Sequence, residues 1–212
     1  MLNAVRRDTR EYAMNKLLAE FLGTFFFCAA ALLSGNPLAA AGALAALSYA
    51  LGYVSGGHFN PAVSVAGWMR GQLDRGEMFR YLAAQAVGGI TGFLLYKLLA
   101  GSSPSQPWEG AVLRTFMGES CFTFLVAFTF LHVRTARQQL GNAYSGAAIG
   151  LAHYAGASAL SRISAGACNP ALGLAFALAG YVPAWMIIVY VFTGLLGGAA
   201  AAIAYRLLNP ND

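Results

Sequence analysis

Charge is what this sequence lacks most. Of its 212 residues only 13 are Lys or Arg and 8 are Asp or Glu, or 10% of the chain, where a soluble domain carries about 25%. So small a share cannot supply the polar surface of a water-soluble fold this long. Cysteine and histidine are equally sparse, three of each. Cys28, Cys121 and Cys168 stand apart in apolar segments, without the spacing of a metal or redox motif, and read as buried small hydrophobes. His132 and His153 stand alone and receive no role from the sequence. These residues form no nucleophile paired with a base, no His/Asp/Glu metal set and no phosphate-binding glycine loop. An enzyme is therefore excluded, and neither a cofactor nor a metal is expected.

What the chain has instead is apolar length. It is 58% hydrophobic, with a mean hydropathy of +0.58. A bilayer core takes about 20 apolar residues per helical span, and six such stretches can be drawn, at approximately 12–33, 38–55, 78–100, 110–132, 142–160 and 181–206. The reading is an all-α membrane protein with no room for a separate soluble domain. Its net charge of +5 does not point to nucleic acid, because of where the basic residues fall. Arg6, Arg7, Arg10, Lys16, Arg70, Arg75, Arg80, Arg134, Arg137 and Arg206 share one side of a six-span chain, whereas Lys97, Arg114 and Arg162 fall at or near the other. The positive-inside rule then places both termini in the cytoplasm. The expected location is a cell membrane crossed several times, a bacterial inner membrane. Arg6 and Arg7 before an apolar run imitate a signal peptide, but the run is too long and contains Glu20, so it reads as a retained helix.

Two triplets organise the chain: Asn60-Pro61-Ala62 and Asn169-Pro170-Ala171. The shift that lays the first on the second also carries Tyr81 onto Tyr190 and Gly89 onto Gly198. The halves, approximately 12–100 and 110–206, each hold three spans, and an odd number of spans inverts one half relative to the other. The segments from Pro61 to about Arg70 and from Pro170 to about Gly180 are apolar but half a span long, which predicts re-entrant half-helices. Asn is a preferred N-cap and Pro suits the first helical position. Two helix N-termini, each carrying roughly half a positive charge, would meet near the bilayer midplane and repel cations, protons included. If the carboxamide oxygens of Asn60 and Asn169 cap their own helices, their amide N–H groups are left as donors to a passing solute. Irregular backbone before each triplet is tolerated at that depth only where it is buried in protein or lines a watery cavity. A narrow polar pore follows.

With SGGHFNPAVS, CNPAL and, in the first span, AEFLGTFF, the chain resembles the aquaporin or major intrinsic protein family over essentially its whole length. The resemblance implies the aquaporin fold, six transmembrane helices plus two re-entrant half-helices in an inverted repeat. It further implies a single channel domain over 1–212, one pore per subunit and a homotetramer in the lipid bilayer. Asn60, Pro61, Ala62, Asn169, Pro170 and Ala171 would form the central constriction. Gly56, Gly57, His58 and Phe59 would present backbone carbonyls on one side of it, and Ala165, Gly166, Ala167 and Cys168 on the other. Glu20 and Glu119 occupy matching places in spans one and four. A carboxylate inside a membrane is by default a functional candidate, and a proton relay is one reading; the resemblance favours bracing of the two loops, with Gln85 assisting. His58 could gate by protonation, but a lining and bracing role is preferred. Gly88, Gly92, Gly194 and Gly198 form small-xxx-small pairs that let helices approach closely.

The departure from the family is Leu172. In most members an Arg follows the second triplet and forms one wall of the outer filter; Leu neither donates hydrogen bonds nor repels cations. By spacing alone, the remaining filter positions are Ala40, either Gly156 or Ala157, and Gly166, all small. Such a filter is wide and apolar, and favours neutral solutes larger than water: glycerol-like polyols, urea or metalloid hydroxides. The expected function is a passive channel for these and for water. The alternative is a water-selective channel in which Arg162, seven residues before Asn169, reaches in to supply the missing charge. A coupled transporter would also suit inverted repeats with broken helices, but its ion site would have to be Glu20 or Glu119. A structural protein with a shut pore fits the small filter residues poorly.

Overall fold

A computed structural model describes residues 2–101 and 111–212, with side chains from residue 11 onward. The side chains of Arg6, Arg7 and Arg10, and residue 110 at the expected start of the fourth span, lie outside the described residues. Eight α-helices follow in order among those described: α1 Leu2–Ser34, α2 Pro37–Ser55, α3 Pro61–Arg70, α4 Arg75–Ala100, α5 Val112–Thr135, α6 Ser145–Leu160, α7 Pro170–Leu178 and α8 Met186–Leu208. Five of them, α1, α2, α4, α5 and α8, are long and apolar enough to cross a membrane. The sixth long helix, α6, has 16 residues, about 24 Å of rise.

Two helices start later than the apolar pattern suggests, each for a local reason. Asn142 was expected to open α6. Instead its side-chain amide donates to Val133 O (2.7 Å) and Gln139 O (2.6 Å) while its Oδ1 accepts from Tyr144 N (3.2 Å), beside Gly141 at φ +81°. Those bonds make a turn, and the helix begins at Ser145. Tyr181 was expected to open α8, but Pro183 disfavours helical backbone in the residue before it. Met186 N and Ile187 N bond back to Pro183 O and Ala184 O in tight turns before α8 sets in.

α3 and α7 hold 10 and 9 residues, about 15 and 14 Å, each roughly half of a 30 Å hydrocarbon core. Their ends are written locally. Each starts on Asn with Pro next, and α3 stops at Gly71, whose φ of +87° lets its N–H close on Gly67 O and Trp68 O. Asp74 then caps α4 by accepting from Glu77 N at 2.7 Å.

The packing has the same plan in both halves. α1 lies against α4 and α2 as α5 lies against α8 and α6, while α3 docks on α8 and α7 on α4. Each half-helix therefore rests on the last long helix of the other half. Glycine makes these approaches possible. A Cβ at Gly88 would stand 2.7 Å from Phe21 O in α1, and one at Gly197 would stand 2.7 Å from Ser120 O in α5. Of the expected α8 pair, Gly198 faces Ala62 O and Gly194 faces Pro170. They receive the starts of the two half-helices, and the contact with a full span falls to Gly197.

A Cβ at Gly89, in α4, would stand only 2.7 Å from Ala171 O. Gly89→Val is expected to destabilise the protein by about 1–3 kcal/mol through overpacking, read as earlier thermal unfolding in detergent. Gly42→Val, where no atom stands within 4 Å, should unfold with the wild type. Equal behaviour of the two variants would contradict the close docking of α7 on α4.

Candidate solute passage

The two half-helices meet at their N-caps. Asn60 is extended, at φ −155° and ψ 120°, and so is Asn169, at φ −163° and ψ 117°. Asn60 Oδ1 accepts from Ala62 N at 2.9 Å, and Asn169 Oδ1 from Ala171 N at 2.9 Å and Leu172 N at 3.4 Å. The side chains then cross over: Asn60 Nδ2 donates to Cys168 O at 3.0 Å, and Asn169 Nδ2 to Phe59 O at 2.8 Å. Each carboxamide has two N–H donors, so one is tied to the opposite loop and one is left over. The sequence reading, in which both were free, missed this tie. It also sets the carbonyls of Phe59 and Cys168 apart from their neighbours, because each already accepts from an asparagine.

These loops are held in unusual backbone. Phe59 and Cys168 both sit at φ +46°, and Ala165 at φ +62°, where residues with a Cβ are uncommon and the conformation must be imposed by its surroundings. Two carboxylates impose it. Glu20 Oε1 accepts from Ser55 Oγ (2.6 Å) and His58 N (3.0 Å), and its Oε2 from Phe59 N (2.8 Å) and Gln85 Nε2 (2.7 Å). Glu119 Oε1 accepts from Ser164 Oγ (2.6 Å) and Ala167 N (2.9 Å), and its Oε2 from Cys168 N (2.6 Å). Both are buried, at 0% and 1% exposure, with every contact spent on a loop or its neighbours. Tyr81 OH donates to Ser55 O at 2.8 Å and Tyr190 OH to Ser164 O at 2.5 Å. Ser55 and Ser164 were not singled out from the sequence, yet the shift that superposes the triplets also superposes them. Gln85 Nε2 further reaches Ser64 Oγ at 2.9 Å, which lies 3.1 Å from His58 Nδ1. The His58 ring stands edge-on to Tyr81 and Phe130.

A cavity opens on each side of the joined caps. One, of about 150 Å³, reaches the loop before α7 and is lined by Ala40, His153, Ala157, Ala165, Gly166, Leu172 and Phe176, with Gly35, Asn36, Ser161 and Tyr181 among the residues toward its mouth. Four of the positions picked by spacing thus lie together. Gly156 does not line it: a Cβ there would stand 2.6 Å from Cys168 Sγ and 2.9 Å from Phe122 Cβ, so that face of α6 packs on the loop. Arg162 is exposed and outside the lining. His153, given no role by the sequence, is inside it. The other cavity, of about 430 Å³, reaches the loop before α3 and is lined by Lys16, Gly56, His58, Arg70 and Tyr81 among others. Gly57, Phe59, Ala167 and Cys168 line neither cavity. Arg134, one of the basic residues counted for topology, is half-buried, with its guanidinium on Ser48 O at 2.7 Å.

Comparison with known proteins agrees with this architecture. Residues 8–205 match the family described as major intrinsic protein. Aquaporin NIP1-4 of Oryza sativa subsp. japonica is 30% identical over 215 residues, covering 92% of this chain and 77% of that one. Glycerol uptake facilitator protein-like 6 of Lactiplantibacillus plantarum is 29% identical over 219 residues, covering 94% and 100%. In three dimensions the fold matches the aquaglyceroporin from Plasmodium falciparum with a TM-score of 0.74 at 18% identity, over 93% of this chain and 98% of the other. The chain has the aquaporin fold, crosses the membrane several times, and belongs to the major intrinsic protein family of channels for water and small solutes, not enzymes.

Proposed function

We propose that this channel is a passive facilitator of small uncharged solutes, of the size of glycerol, urea or metalloid hydroxides, with water passing beside them. The observation that carries this reading is the outer cavity, where Ala40, Ala157, Gly166 and Leu172 stand together and no Asp, Glu, Lys or Arg joins the lining. Small side chains leave width, and an apolar wall without a fixed charge discriminates weakly by polarity. Solutes with hydrophobic carbon and a few hydroxyls or amides suit it. The exposed position of Arg162 argues against its serving as a substitute filter charge.

In this reading 1–212 is one channel domain built from two inverted repeats. The central constriction lies at Asn60, Pro61, Ala62, Asn169, Pro170 and Ala171, with one free amide N–H per asparagine offered to the solute and two helix N-termini opposing cations. Gly56 and His58 on one side and Ala165 and Gly166 on the other carry the backbone that faces the cavities. Glu20, Glu119 and Gln85 brace the loops, and the bonds that both oxygens of each glutamate already accept speak against a proton relay. The channel assembles as a homotetramer in a bacterial inner membrane with both termini cytoplasmic.

The test is stopped-flow light scattering of proteoliposomes in a glycerol or urea gradient. Wild-type vesicles should reswell at least tenfold faster than protein-free ones, and Arg162→Ala should match the wild type within about twofold, as expected for a surface change remote from the passage. Reswelling no faster than in empty vesicles would contradict the reading. Solute entry gained only on Arg162→Ala would favour the water-selective alternative.

A further inference from the structure

His153 sits on α6 one turn before Ala157, so the two side chains fall on one face of the helix. It lines the outer cavity with Ala40, Ala157 and Leu172 and is 1% exposed, so the ring is buried in the cavity wall. Phe27 fixes its plane edge-on, with centroids 4.9 Å apart at 78°. Among the described residues neither Nδ1 nor Nε2 has a hydrogen-bond partner. A neutral imidazole carries one donor and one acceptor, and leaving both buried and unpaired is unfavourable enough that native proteins seldom do so.

Each of the other polar side chains around this cavity already makes a hydrogen bond, and Asn36 and Ser161 are exposed. Asn36 Oδ1 accepts from Leu38 N at 2.8 Å, Ser161 Oγ donates to Ser158 O at 3.0 Å, and Tyr181 OH donates to Leu32 O at 3.3 Å. Leu172 offers nothing. Among the described residues, the imidazole is therefore the buried side chain in this wall that carries a donor and an acceptor with no partner for either.

We propose that His153 is the specificity-determining residue of the outer passage, donating one hydrogen bond to, and accepting one from, each small neutral solute that squeezes past Leu172. This rests on the reading of the chain as a neutral-solute channel. The chemistry selects molecules that are themselves donor and acceptor at once: a polyol hydroxyl, a urea amide, water. A single ring against an apolar wall meets one side of the solute, so a molecule with a hydrocarbon face opposite its hydroxyl or amide fits it best.

Two variants separate hydrogen bonding from bulk. His153→Leu keeps a side chain of similar size without polar atoms, and His153→Gln restores a donor and an acceptor. Both are reconstituted after size-exclusion chromatography has established that they are folded, and glycerol, urea and water permeabilities are measured by stopped flow. His153→Leu should lower glycerol and urea permeability at least tenfold, as expected when the bonds the ring gives and takes at the barrier are lost, while His153→Gln stays within about twofold of the wild type. Equal losses in both variants would make the ring a packing element, and no loss in His153→Leu would mean that solutes do not meet it; either overturns the proposal. If His153→Leu fails to fold, His153→Met serves as the apolar arm. If the wild type passes water but neither glycerol nor urea, the neutral-solute reading fails, and the same variants compared in water permeability alone decide the role of His153.

Discussion

Replacing Glu119 by leucine is expected to abolish recovery of the folded channel. Glu119 is 1% exposed and takes three hydrogen bonds, from Ser164 Oγ, Ala167 N and Cys168 N. At membrane depth no bulk water can replace it. Each orphaned donor is unfavourable by about 1–3 kcal/mol, so the three together reach about 3–9 kcal/mol, against a typical total stability of about 5–15 kcal/mol. The loop would also lose what holds Ala165 and Cys168 at positive φ. Glu119→Gln should be intermediate, because the amide keeps one acceptor oxygen but turns its NH₂ toward a backbone N–H or a hydroxyl. Fluorescence-detected size-exclusion chromatography of a fluorescent fusion reads this directly: a void-volume peak for Leu, a reduced monodisperse peak for Gln. A monodisperse Leu variant with wild-type thermal stability would contradict the bracing role. Were such a variant folded but stripped of dependence on a pH gradient, the coupled-transporter reading would gain.

Leu172→Arg is expected to cut glycerol and urea permeability by at least tenfold while water permeability falls far less. Leu172 is 1% exposed, at the second residue past Pro170 in α7, and lines the outer cavity. A guanidinium there adds volume to a space of about 150 Å³ and replaces an apolar wall with a permanent charge bearing several hydrogen-bond donors. A wide solute must then desolvate past the charge or be excluded, whereas water can hydrogen-bond to it and pass. Proteoliposome permeabilities to the three solutes measure the effect, and equal loss for all three would point to a blocked or misfolded pore.

The half-helices are the part of the fold most legible in the sequence, because their signals are local. Asn followed by Pro favours a cap and a first helical residue, and two copies in register gave the architecture its frame. Helix starts that depend on a turn were less legible: Asn142 stands at the head of an apolar run, and its bonds to Val133 O and Gln139 O remove it from α6. The crossing bonds from Asn60 to Cys168 and from Asn169 to Phe59 join residues more than 100 positions apart. They exist because the halves dock, and no local pattern encodes them. Ser55 and Ser164 could have been found by carrying the repeat a few residues further back. His153 left no such trace, since a lone histidine in a helix with an apolar face reads the same whether it packs in a core or lines a cavity. Gly156 and Ala157 are adjacent, and spacing cannot separate neighbours that a helix turns about 100° apart.

The most direct test of a widened, uncharged outer filter is the ratio of glycerol to water permeability, measured by stopped flow on one preparation of wild-type proteoliposomes and one of Leu172→Arg at matched protein density. The account predicts a wild-type ratio well above that of protein-free vesicles and a fall of at least tenfold in the variant. A wild type that conducts water rapidly with no glycerol entry, and a ratio unchanged by Leu172→Arg, would contradict it.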